Sequence, residues 1–382
     1  MSFAHAWIAN FLMGFSFYML IPTLPFYLSH QFQAGKTMIG VILSAYIIAA
    51  LLIRPFSGYM VDSFSRKLVY ILSYFFFVGA YLGYIVAASI LFILILRFFH
   101  GLTWGVCATA GNTLAIDIMP HSRRGEGLGY FGLSNNLAMA IGPMVGLFLF
   151  DNNNFNWIFY SALLTGVIGL LFAMSIKAPP KLPMISQPLS LDRFVLIKGI
   201  PVGINLMFIA VSYGMILSFA AVYGREIGVK GTGIFFTLMS CGIAASRIFA
   251  GKLVDKGKIH TVASMGILTL VISFGFFSLW PAGPVYMITA FFIGIGFGII
   301  FPSFQTIFIN LAPHAKRGTA NATYLTSFDI GVGIGMLVSG RVAESFNLSV
   351  AFLIATGLLI IALLNYIKFT AGFYQKYKLD EK

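Results

Sequence analysis

The chain has 382 residues, of which 59% are hydrophobic and 9% charged, and its mean hydropathy is +0.92. A soluble domain carries about 25% charged residues, so a water-soluble fold is excluded. The formal net charge of +13 does not mark a nucleic-acid binder, because the basic residues sit in short clusters between apolar segments.

A membrane-spanning helix needs about 20 mainly apolar residues, and twelve segments meet that length. The first, near 6–28, has no basic segment before it, so it reads as a retained span and not a cleaved signal; it carries Tyr18. The second, near 38–60, holds Arg54 towards its end. Asp62 and Arg66 follow in the connection to the third span, near 68–88, four residues apart at a helix end where opposite charges pair or cap. The fourth, near 90–117, places Arg97, His100 and Trp104 at i, i+3 and i+7, which is one helix face. A charge near the bilayer centre costs about 2.5–3.5 kcal/mol and faces a cavity or a partner. That face can bind an anionic group, pass a proton through His100, or stack an aromatic ring on Trp104. The span ends at Asp117, within reach of the Asp62–Arg66 connection.

The fifth span, near 126–149, contains Asn136 and then Gly142, Pro143 and Gly146. Proline inside a helix removes a backbone hydrogen bond and kinks it, and the glycines permit close helix contact. The sixth lies near 155–176, and the proline-bearing segment 177–194 reads as a linker between halves. The seventh, near 195–222, carries Asn205; the eighth, near 232–253, carries Arg247 and leads to Asp255; the ninth lies near 259–280. The tenth, near 283–310, holds Gln305, and the twelfth lies near 347–370. The eleventh, near 318–343, holds Asp329 close to its middle, where permanent ionisation is costly, so this carboxyl is a candidate for taking up and releasing a proton. Cys107 and Cys241 both lie within spans and read as packing residues, not as a disulfide or metal site. No cofactor is called for.

Orientation follows from the positive charges. Seventeen of the 24 Lys and Arg fall after even-numbered spans or in the C-terminal tail, which places both termini in the cytoplasm.

One offset of 193 residues aligns the two halves without a gap from about 46 to 340. It carries Arg54 through Asp62 onto Arg247 through Asp255, Gly101 and Gly105 onto Gly294 and Gly298, Pro120 and Gly125 onto Pro313 and Gly318, and Gly142 onto Gly335. Asn136 falls on Asp329, so the two are equivalent polar positions of which one titrates. Arg97 falls on Ala290, so that charge exists in one half only. Second span onto eighth, and fourth onto tenth, preserves direction across the membrane. The halves are therefore parallel repeats, a known transporter plan with the substrate site near the bilayer midplane. The expected units are a six-helix bundle at 1–176, a cytoplasmic linker at 177–194 and a second bundle at 195–382.

These features resemble the major facilitator superfamily over essentially the whole chain. Gly58-Tyr-Met-Val-Asp62-Ser-Phe-Ser-Arg66-Lys67 is similar to the family's signature between second and third spans, with Ser65 in place of the usual glycine. Arg97 followed by Gly101 resembles the fourth-span signature. Gly142-Pro143-Met-Val-Gly146 resembles the antiporter signature of the fifth, with Ala138 and Leu147 replacing its outer glycines. The resemblance implies an all-α membrane protein of twelve helices. It further implies a cytoplasmic latch of Asp62, Arg66 and Asp117, with a weaker second copy in which Asp255 remains and Asn310 replaces the acid.

The expected function is proton-coupled efflux of a small amphipathic or zwitterionic molecule by a monomer of the bacterial inner membrane. The alternative is proton-coupled uptake of a nutrient such as a sugar or organic acid. Coupling or substrate candidates are Asp329, Arg97, His100, Trp104, Asn136, Tyr18, Asn205 and Gln305, and gate candidates are Asp62, Arg66, Asp117, Arg54, Asp255 and Arg247. The partners are the lipid bilayer, a small-molecule substrate and protons. Neither His-Glu-x-x-His nor Gly-x-Ser-x-Gly occurs, and an enzyme is not expected.

Overall fold

A computed structural model describes residues 2–119, 124–152, 155–178, 195–255, 258–313 and 317–379, and these are helical with no strand. In chain order the helices are α1 Ser2–Leu20, α2 Leu24–Phe32, α3 Lys36–Ser63, α4 Arg66–Ile85, α5 Ile90–Asp117, α6 Arg124–Asn152 and α7 Phe155–Met174. There follow α8 Ile200–Glu226, α9 Ile234–Asp255, α10 Ile259–Leu279, α11 Gly283–Asn310, α12 Arg317–Ser345, α13 Leu348–Asn365 and α14 Ala371–Tyr377. Among the described residues eleven segments are long and apolar enough to cross a membrane; α9, whose apolar part Ile234–Ser246 is shorter, holds the place of the eighth span. The linker expected at 177–194 lies almost wholly outside the described residues.

The first span is not one helix. It breaks after Leu20 and resumes at Leu24, because Pro22 and Pro25 each remove a backbone donor from the ladder. Thr23 covers the break by donating its hydroxyl to the Leu20 carbonyl at 2.9 Å. The twelfth span also departs from a regular helix. Tyr366–Thr370 forms a π-helical turn between α13 and α14. Asn205 supports this turn from α8, its amide donating to the Ala362 carbonyl at 3.0 Å and to the Thr370 hydroxyl at 3.3 Å.

The chain forms two compact units, one of Met1–Ala34 and Ala45–Pro188, the other of Gly35–Ser44 and Leu189–Lys382. In the first, α1 packs on α6 and α7, and α4 on α5 and α7. In the second, α8 packs on α12 and α13, and α11 on α9 and α10. Gly35–Ser44, which the sequence halves assign to the first bundle, belongs to the second unit through specific ties. Lys36 donates to Glu226 at 2.6 Å, and the Thr37 backbone N–H donates to Glu344 at 2.6 Å.

The repeat reappears as equivalent helix crossings inside each unit. A Cβ at Gly101 of α5 would stand 2.1 Å from the Tyr46 carbonyl oxygen; one at Gly294 of α11 would stand 2.0 Å from that of Met239. Tyr46 and Met239 are themselves 193 apart. The crossings are backbone against backbone, which only glycine permits.

Gly142 and Gly146 of α6 lie against α1 in the same manner. A Cβ at Gly146 would fall 2.1 Å from the Met19 carbonyl oxygen, whereas one at Gly79 of α4 would meet nothing within 4 Å. Gly146→Ala is therefore expected to destabilise the protein by about 1–3 kcal/mol through overpacking. Gly79→Ala should be neutral or stabilising by up to about 1 kcal/mol. Thermal melting of the two variants in detergent separates them, and equal melting temperatures would remove the close α1–α6 contact as a constraint.

Candidate functional site

The first unit encloses a polar cluster in an aromatic shell. One stripe of α4, at alternating spacings of four and three, supplies Tyr70, Tyr74, Phe77, Tyr81 and Tyr84, all buried. This is the spacing that keeps residues on one helix face. Buried tyrosines need hydrogen-bond partners, and three of these find them on other helices. Tyr74 donates to the Ala9 carbonyl at 2.9 Å, Tyr81 donates to the Ser16 hydroxyl at 3.0 Å, and the Tyr84 hydroxyl pairs with Nδ1 of His100 at 3.3 Å.

Arg97 and His100 of α5 point into this shell, and both are wholly buried. The Arg97 guanidinium carbon lies 4.7 Å from the centre of the Tyr46 ring and 5.7 Å from that of Phe17. These two rings stack on each other at 4.3 Å. The guanidinium thus receives the negative faces of two π systems, a contact worth about 2 kcal/mol when desolvated. None of its three nitrogens makes a hydrogen bond, and Nε2 of His100 has no partner either. The Tyr84 hydroxyl lies close to the guanidinium. A buried donor left unpaired costs about 1–3 kcal/mol, and more for a charged group. The site therefore holds unspent capacity to bind an acceptor.

Trp104 completes one wall, 4.8 Å from Phe17 and edge-on to Tyr18 at 6.4 Å. Tyr18 is held in turn by α6, since the position of a Gly142 Cβ would be 2.9 Å from Tyr18 Cβ. The proline-bearing segment of α6 thereby fixes one side of the aromatic shell. Phe17, Tyr46, Phe77, Tyr81 and Tyr84 are site residues that the sequence reading did not name. The α4 stripe was the available signal for three of them.

The remaining candidates are distributed elsewhere. Asp329 is half-buried on α12. Two residues further on, a Cβ at Gly331 would stand 2.5 Å from the Met207 carbonyl oxygen, so α12 is pinned to α8 within a turn of Asp329. Asn205 is wholly buried and ties α8 to the twelfth span, which makes it a structural hydrogen-bonding group in this arrangement. Gln305 is exposed and donates to Asn321 at 3.0 Å, so it too is engaged by protein. Arg54 is half-buried on α3. The side chains of Asn136, Asp62, Arg247 and Asp255 lie outside the described residues.

Of the expected latch, Arg66 donates through Nη1 to Oδ1 of Asp117, joining the start of α4 to the end of α5. Both side chains are about four-fifths buried, at 17% and 21% exposure. A charge-assisted bond in this setting is worth about 1 kcal/mol. Reversing either charge alone is expected to slow transport by about fivefold, and the exchange Arg66→Asp with Asp117→Arg to recover most of it. A double variant as slow as the product of the singles would show that the pair does not couple.

A family model described as "Major Facilitator Superfamily" matches residues 6–320 and 202–373. The chain is 22% identical to the staphylopine export protein of Staphylococcus aureus strain Mu50, over 88% of this chain and 87% of that one. It is likewise 22% identical to the quinolone resistance protein NorA of S. aureus strain MRSA252, over 85% and 86%. A crystal structure of the peptide transporter POT in complex with sulfate superposes with a TM-score of 0.83 at 14% identity, covering 99% of this chain and 96% of that one. With two helical bundles in register at 193 residues and a family match over nearly its whole length, the chain belongs to the major facilitator superfamily and is a multi-pass membrane transporter.

Proposed function

We propose that this transporter exports a small amphipathic or zwitterionic molecule in exchange for protons, from the cytoplasm across a bacterial inner membrane, with both termini cytoplasmic. The observation that carries this reading is the Arg97 guanidinium, wholly buried among aromatic rings with none of its nitrogens hydrogen-bonded. A cation held at that cost inside a membrane protein marks a ligand or ion path. Its donors match a carboxylate or another planar anion, and Phe17, Tyr46 and Trp104 match an apolar or aromatic remainder. Asp329, the one carboxyl near the middle of the eleventh span, is the proton carrier in this scheme. Arg66 and Asp117 act at the cytoplasmic ends of α4 and α5, where they make one conformation more stable than the other. Efflux relatives and the antiporter-like Gly142-Pro143-Met-Val-Gly146 motif favour export over uptake.

The test is transport by purified protein in proteoliposomes under an imposed pH gradient, against a panel of zwitterions, aromatic carboxylates, cationic amphiphiles and sugars. Proton movement opposite to the flux of a carboxylate-bearing compound is expected. Proton movement in the same direction as a sugar or organic acid would overturn the export reading.

A further inference from the structure

The C-terminal end of the twelfth span carries a feature outside the site described above. Beside the π-helical turn a cleft of about 540 Å³ opens, lined by Pro201, Ile204, Lys368, Phe369 and Phe373 among others. This is the size of a small-molecule site. Its origin is local. Asn205 ties α8 to the turn through the Ala362 carbonyl and the Thr370 hydroxyl, and the cleft is lined by residues of both.

The walls are apolar and open outward: Phe369 is 68% exposed and Ile204 47%. Lys368 is the one charged group lining the cleft, and among the described residues it makes no hydrogen bond or ion pair. Lys198 and Lys376 stand nearby in the chain, their ammonium nitrogens 5.8 Å and 5.3 Å from the centre of the Tyr377 ring. Tyrosines and snorkelling lysines at the end of a span mark the headgroup level of a bilayer. Lys368, whose long side chain can snorkel towards that level, shares the last turns of the span with the apolar walls of the cleft.

We infer that this cleft holds one anionic phospholipid of the surrounding leaflet, its phosphate on Lys368 and an acyl chain along Ile204 and Phe369. A free phosphate is a poor match, because one exposed lysine offers it little and the aromatic walls offer it nothing. A zwitterionic lipid fills the walls equally well, so selectivity rests on charge. A lysine near a membrane surface gives about fivefold preference for an anionic lipid.

Native mass spectrometry of the purified full-length protein, given equal amounts of phosphatidylglycerol and phosphatidylcholine, measures this preference directly. Wild type is expected to retain phosphatidylglycerol by about fivefold. Lys368→Ala should abolish the preference without changing phosphatidylcholine retention, and Lys368→Arg should keep it. Lys368 is exposed, so the melting temperature in zwitterionic detergent should not move. An undiminished preference in Lys368→Ala, or none in wild type, would overturn the assignment. So would displacement of the lipid by glycerol phosphate, since it would make the site one for soluble anions.

Discussion

Asp329→Asn is expected to leave a folded transporter that equilibrates its substrate but cannot accumulate it against a gradient. The replacement keeps the size of the side chain and its hydrogen-bonding ability while removing titration. Asp329 lies half-buried midway along α12, with Gly331 pinning the helix to α8 two residues away. Keeping an ion at such a depth costs about 2.5–3.5 kcal/mol, so a protonated form should be populated in some state of the cycle. Counterflow of labelled substrate, which needs no net proton movement, should survive. Accumulation driven by a pH gradient should fall to equilibration. Uphill transport at the wild-type rate across about pH 6 to 8 would make Asp329 structural and place coupling elsewhere.

Arg97 should separate stability from function. Arg97→Met fills a similar volume without a charge, and its surroundings are Phe17, Tyr46 and the tyrosines of α4. Replacing a buried ionic group by a well-packed apolar one is often neutral or stabilising, by about 1–4 kcal/mol. The ligand-free melting temperature of Arg97→Met is therefore expected to stay level or rise. Binding should fall by about 2–5 kcal/mol for any substrate that places an anion on the guanidinium. Arg97→Lys retains the charge without the planar fork and should fall between the two. Isothermal binding and thermal melting on the same preparations give both answers. A marked loss of stability in Arg97→Met with unchanged affinity would make the guanidinium a structural element whose cation–π contacts suffice.

Much of this was written in the chain. The offset of 193 is legible because the crossings that hold each bundle together admit no Cβ, so Gly101 and Gly294 cannot be exchanged for larger residues. Arg97 is legible because a cation amid apolar residues has few explanations. The shell around it is harder to read. Phe75, Phe76 and Phe77 are consecutive, yet the first two are 57% and 50% exposed and only the third turns inward. In a membrane protein aromatic residues suit both lipid and core, so hydrophobicity does not sort them; only the alternating four-and-three spacing along α4 does. The break after Leu20 was signalled by Pro22 and Pro25. Composition over a window of about 20 residues averages such breaks away. The ties of Gly35–Ser44 were out of reach, since Lys36 and Thr37 find their partners 190 and 307 residues downstream.

The crossings made by bare backbone have a consequence for divergence after duplication. At Gly101 and Gly294 one helix rests on a carbonyl group of its neighbour, not on a side chain. Such a seam places a single demand on the gene, the absence of a side chain at one position. The rest of each helix can change its chemistry while the frame stays put. Two copies of one bundle can then differ in charge, with Arg97 in one and Ala290 at the matching site of the other. The scaffold is thus free to specialise one half for holding charge while the same helix crossing in the other half carries none.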